Sequence, residues 1–88
     1  MYYRLQNIKF TSNIKFTSMD INVFFGRRIK EERLKLNFSQ EKLALEANVD
    51  RTYVNDLEKG TRNVSLVIAY KLSNALHISI SHLFKDLK

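Results

Sequence analysis

The chain has no cysteine, no proline and no tryptophan, and only two glycines among 88 residues. Without cysteine it can form no disulfide, no reactive thiolate and no cysteine-based zinc site, a composition that suits a reducing cytoplasm. Two glycines leave no material for a loop that cradles phosphate. No apolar run approaches the roughly 18 residues of a membrane span. The first residues also lack the long apolar stretch of a signal peptide. Length adds a further exclusion: one domain of this size has a modest core and little room for a buried catalytic cleft. No nucleophile–base set stands out, and His77 and His82 are five apart with no supporting ligand motif. No catalytic residue, metal ligand, cofactor or small-molecule substrate is therefore expected.

What is present is ordinary for a soluble globular protein, with 44% hydrophobic and 27% charged residues. The formal net charge is +6, which favours anionic partners. That charge is uneven. Residues 1–18 hold Arg4, Lys9 and Lys15 and no acid, while residues 19–88 hold the other 12 bases and all 9 acids, so each part carries +3. Binding by the main body would therefore depend on where its charges sit.

The first part contains NIKFTS twice in succession, at Asn7 to Ser12 and Asn13 to Ser18. Ile8, Phe10, Ile14 and Phe16 all fall on even positions, which is strand alternation. A turn at Thr11-Ser12-Asn13 would make a hairpin, although a lone hairpin is marginal in water. Residues 1–18 are read as an extension, and residues 19–88 as the folded domain. The extension is either a tail made by a short duplication upstream of an internal start at Met19, or a strand or arm used in dimer contact or near DNA.

From Asp20 onward the signals are helical. Helix one is expected over Asn22 to Leu36, with Phe25, Ile29 and Leu36 on or near one face. Ser39 caps helix two, with Phe38 and Leu43 as a staple and Leu43, Ala44 and Ala47 inward. Asn48 suits a left-handed turn. Asp50 caps helix three, with Val49 and Val54 as its staple, and Gly60 ends it. Ser65 caps a fourth helix through Leu76, with Leu66, Ala69, Leu72 and Leu76 inward. Ser79 caps a fifth, with Ile78 and Leu83 as its staple. The fold class is all-α.

The third helix is unusual. On a wheel of 100° per residue, Val54 and Leu57 define the buried side, with Tyr53 at its edge. Arg51, Thr52, Asn55 and Lys59 share the opposite face, and all four form hydrogen bonds. A short helix precedes it across a tight turn, and Ala44 and Ala47 would allow close approach. Two such helices with a polar face on the second make a helix-turn-helix.

The run SQEKLALEANVDRTYVNDLEKGTRNVS resembles the phage repressor and Cro family, also called the xenobiotic response element family. The resemblance covers about Phe25 to Phe84. Its motifs appear as Gly26-Arg27-Arg28-Ile29-Lys30, Phe38-Ser39-Gln40-Glu41-Lys42-Leu43-Ala44 and Leu57-Glu58-Lys59-Gly60. RTYVNDLEKGTRN looks most like the controller proteins of restriction-modification systems. The chain departs from the family at Asn48 and His77, where Gly is usual, at Val64 for Pro, and at Ser73 for Ala.

The resemblance implies a compact five-helix lambda-repressor-like domain. It also implies a homodimeric, sequence-specific transcription regulator that binds operator DNA in the cytoplasm, with RNA polymerase as a candidate second partner. Arg51, Thr52, Tyr53, Asn55 and Arg62 are the candidate base contacts. An arginine can grip guanine, an asparagine can pair with adenine, and a threonine can pack on a thymine methyl. Arg62 could instead form a surface ion pair with Glu58. Ser39, Gln40, Lys42, Lys59 and Asn63 are the candidate phosphate contacts, with free N–H groups at the start of helix two. Asp56 and Glu58 are expected to orient neighbouring basic groups. Ile80, Leu83, Phe84 and Leu87 exceed what a small core absorbs, so they form the candidate dimer surface, and Val67, Ile68 and Tyr70 add apolar area that could join it or hold the N-terminal strand. Leu45 points outward without explanation. Two other roles fit the same sequence: an antitoxin that holds a toxin while binding DNA, and a protein- or RNA-interaction module on this fold.

Overall fold

The computed structural model of the chain describes residues 18–87. All of the duplicated segment but its last residue, Ser18, and with it the expected strand or hairpin, lies outside the described residues. Among the described residues there are five helices and no strand: α1 (Ser18–Lys35), α2 (Gln40–Ala47), α3 (Arg51–Glu58), α4 (Leu66–Leu76) and α5 (Ile80–Leu83).

Local chemistry sets most of these boundaries. Ser39, Ser65 and Ser79 each accept a hydrogen bond from a backbone N–H three residues on, at 2.9, 3.1 and 3.0 Å, while Asp50 accepts from the Thr52 N–H at 2.8 Å. Each cap satisfies a donor that the first helical turn leaves free. The opposite ends close through left-handed residues: Asn48 at φ 56° after α2, Gly60 at φ 78° after α3 and His77 at φ 62° after α4. α1 begins four residues before the expected Asn22. Nothing in Ser18 to Ile21 breaks a helix, and Asp20 in the first turn suits the positive end of the helix dipole.

The core comprises Phe25 and Ile29 of α1, Leu43, Ala44 and Ala47 of α2, and Val54 and Leu57 of α3. Ala69, Leu72, Ala75 and Leu76 of α4 and Leu83 of α5 complete it. Phe38, Val49 and Ile78, the residues just before three caps, pack against it. Gly26 is needed where α1 crosses α3, because a Cβ there would lie 2.2 Å from the Leu57 carbonyl oxygen. Ser73 is buried where Ala is usual, and its hydroxyl donates to the Tyr70 carbonyl at 2.8 Å, so no polar group is stranded.

Three apolar positions depart from expectation. Leu66 is 81% exposed, not inward. It is the first residue of α4, ahead of the buried stripe that starts at Ala69, and it lines an open, mostly apolar groove with Ile21, Phe25, Val64 and Phe84. Leu36 is exposed because α1 ends at Lys35 and the chain turns through the left-handed Asn37. Leu83 is wholly buried. α5 is a single turn, and its one core-facing side chain is this leucine. It can anchor a dimer face from behind but cannot offer surface to a second copy.

Candidate nucleic-acid interface

α3 is held from behind by Val54 and Leu57, which are buried. Its first two residues, Arg51 and Thr52, are exposed, and Asn55 one turn later is half-buried. Arg51 has no ion-pair partner among the described residues, and neither does the exposed Lys59 beyond the helix end. Both are free to meet an anion. The left-handed Asn48 makes the α2–α3 turn short, with the Val49 N–H bonded to the Ala44 carbonyl at 2.9 Å. That turn packs α3 against α2 while the side chains of Arg51 and Thr52 stay exposed.

A second group gathers along α3, where the loop after the helix folds back onto Tyr53 and Asp56. The Arg62 guanidinium lies over the Tyr53 ring, 4.5 Å from its centroid. Its Nη2 also pairs with Asp56 Oδ2 at 3.1 Å. The Tyr53 hydroxyl donates to the Asn63 carbonyl at 3.2 Å, and the Asn63 side-chain oxygen accepts from Asn22 of α1 at 2.8 Å. Tyr53 thus serves as a stacking platform at the core edge. The alternative considered for Arg62, a pair with Glu58, is not formed, because Glu58 is engaged elsewhere.

Glu58 is the centre of a third group. Its carboxylate accepts from Arg33 Nε and Nη2 at 2.7 and 3.0 Å and from Gln40 Nε2 at 3.1 Å. Arg33 Nη1 donates to the Phe38 carbonyl at 2.8 Å. One buried ion pair thereby ties the end of α1, the start of α2 and the end of α3 together. Gln40, a candidate phosphate contact, is held by this carboxylate. Arg33 was not among the candidate site residues. The faint signals for it were a base in the last turn of helix one and an acid in the Leu57-Glu58-Lys59-Gly60 motif.

The remaining phosphate candidates lie on α2. The Ser39 hydroxyl is used as a cap. Lys42 pairs with Glu46 at 2.9 Å, and its ammonium sits 5.7 Å from the Phe38 ring centroid. The Lys42 hydrogen bond and charge hold the exposed Glu46 carboxyl below its ordinary pKa. An incoming phosphate would compete with Glu46 for this lysine.

Ile80, Phe84 and Leu87 lie away from α3, on and after α5, and are half-buried. Phe84 stacks on Phe25 with ring centroids 5.3 Å apart, so one face of it is already spent on the core. Arg28 of α1 donates to the His82 carbonyl and, at 2.7 Å, to the Lys85 carbonyl, which fixes the end of α5. Val67 and Tyr70 are exposed on α4, as is Leu45 on α2. No group of three His, Cys, Asp or Glu side chains that could hold a metal ion occurs among the described residues. None of their helices is long and apolar enough to cross a membrane.

Comparison with known proteins places this arrangement. The HTH_3 helix-turn-helix family matches residues 29–83. The control protein C.BamHI of Bacillus amyloliquefaciens is 50% identical over 60 residues, covering 67% of this chain and 74% of that protein. The crystal structure of the restriction-modification controller protein C.AhdI from Aeromonas hydrophila superposes with a TM-score of 0.71 at 47% identity, covering 73% of this chain and 97% of that one. The controller protein C.Esp1396I, solved as a tetramer with its natural 35 base-pair operator, matches with a TM-score of 0.69 at 29% identity, covering 74% and 86% of the two chains.

Proposed function

The chain belongs to the HTH_3 helix-turn-helix family, and on that premise we propose that it is a sequence-specific transcription regulator, the controller of a restriction-modification system, binding operator DNA as a homodimer. The observation that carries the reading is the division of α3: Val54 and Leu57 are only 0% and 1% exposed, while Arg51 and Thr52 stand exposed on the other side. A helix anchored in this way can enter a major groove without giving up its core contacts.

In this reading the DNA-binding unit is residues 19–88. Arg51, Thr52 and Asn55 face base edges, with Tyr53 and Arg62 flanking them. Ser39, Gln40, Lys42, Lys59 and Asn63 meet phosphates on either side, fixing position while the base contacts choose sequence. Ile80, Phe84 and Leu87 of one copy meet those of a second, with Leu83 behind them. The pair sets two recognition helices about 34 Å apart across a near-palindrome. Position relative to the promoter then decides repression or activation, with RNA polymerase as the second partner.

Selection of duplexes from a random library, followed by titration of the enriched sequence, tests the reading. Arg51→Ala should weaken binding by about 1–3 kcal/mol and relax sequence choice. With ~6–10 phosphate contacts per dimer, affinity should fall about 10³–10⁵-fold between 50 and 200 mM salt. Failure to enrich any sequence, together with a flat salt response, would refute it.

A further inference from the structure

Asp56 is an acid on the side of the molecule assigned to DNA, where a negative charge opposes binding. It is also fixed in place. Both the N–H and the hydroxyl of Thr61 bond to its carbonyl oxygen, at 3.1 and 3.0 Å, which folds the loop after α3 back onto the helix end. That loop delivers Arg62 to a site with two walls: the Tyr53 ring under its face at 4.5 Å and the Asp56 carboxylate on its Nη2 edge at 3.1 Å. Neither partner is buried, with side-chain exposures of 42% for Arg62 and 33% for Asp56, so a ligand can reach the guanidinium beside the acid.

We propose that Asp56 is a positioning residue that makes Arg62 a reader of neutral base edges and bars it from serving as a phosphate clamp. The proposal rests on the DNA-binding reading above. A stacked guanidinium keeps its planar fork in one orientation, so the N–H groups not taken by Asp56 are presented in a set direction. A phosphate docking there would bring its negative charge against the Asp56 carboxylate. Guanine O6 and N7 offer the same two acceptors with no net charge. The like-charge repulsion therefore falls on the phosphate and spares the base. Specificity arises here by penalising the wrong ligand, not by adding a contact to the right one. Asp56 also cancels part of the Arg62 charge, so Arg62 releases less than one counterion on binding.

The test compares the full chain with Asp56→Asn, a near-isosteric change that removes the charge, and repeats the pair in an Arg62→Ala background. Each is titrated against the enriched duplex and a scrambled one over a salt series. Asp56→Asn should bind the scrambled duplex several-fold tighter, with a log–log salt slope steeper by up to about one. Its preference for the enriched duplex should drop roughly tenfold. In the Arg62→Ala background, Asp56→Asn should leave the preference unchanged. A merely structural role for Asp56 would lower the melting temperature and weaken both duplexes alike. Retained binding with an unaltered preference would overturn the proposal alone, as would an equal drop in the absence of Arg62. A wild-type chain that binds neither duplex would instead overturn the DNA-binding reading.

Discussion

Replacing Glu58 with alanine removes the carboxylate shared by Arg33 and Gln40 while leaving both in place. Arg33 and Glu58 side chains are 9% and 4% exposed, so the pair is screened little by solvent. Without Glu58 the guanidinium keeps only the Phe38 carbonyl as a partner and stays buried with an uncompensated charge. Breaking a buried pair from one side costs about 3–5 kcal/mol. That is a large share of the roughly 5–15 kcal/mol that holds a small domain together. At about 4–8 °C per kcal/mol for a domain this size, the melting temperature should fall by more than about 12 °C. Urea and thermal unfolding at neutral pH, at one fixed protein concentration because association shifts apparent stability, would measure it. The double variant Arg33→Met/Glu58→Leu should recover much of the loss, since apolar residues of similar volume often replace buried pairs without penalty. A Glu58→Ala loss below about 1 kcal/mol, the size of an ordinary surface pair, would show that the three-helix tie contributes little.

Three further outcomes follow from the geometry. Gly26→Ala pushes a methyl against the Leu57 carbonyl, within 2.2 Å; it should destabilise by about 1–3 kcal/mol through overpacking, and a neutral result in urea unfolding would contradict the close crossing of α1 and α3. His77→Gly should stabilise by about 0.5–1 kcal/mol, because His77 sits at φ 62° where glycine has no Cβ penalty; a lower unfolding midpoint would count against it. Burial works to raise the Glu32 pKa, but hydrogen bonds from His82 and Lys35, with their charges, outweigh it and hold the carboxyl below its ordinary value of 4.5. A depressed carboxylate contributes stability above its ordinary pKa and loses it as pH falls through the lowered one. Melting temperatures taken from pH 7 down to pH 3 should therefore drop less steeply for Glu32→Gln than for the wild type, and parallel curves would exclude the effect.

Much of this was legible in the chain because it depends on neighbours in sequence. Ser39, Asp50, Ser65 and Ser79 cap helices through bonds spanning two or three residues. The two faces of α3 follow from its period alone. Less legible were the ends of apolar faces. A wheel shows that Leu66 and Leu36 lie near an inward stripe, but not that the neighbouring elements stop short of them. Partner choice among charges was also hidden. Glu58 was a plausible partner for Arg62 four residues away, yet it pairs with Arg33, 25 residues away.

Residue order was enough to mark out the all-α class, the helix-turn-helix and the candidate reading face, since hydrogen-bond caps and a 3.6-residue period act over a turn or two of chain. Packing three dimensions deep had to assign the rest: which acid holds which arginine, which leucine anchors α5, and where α1 presses its glycine onto α3. Those outcomes depend on distances between segments far apart in sequence, and on which groups lose water when those segments meet.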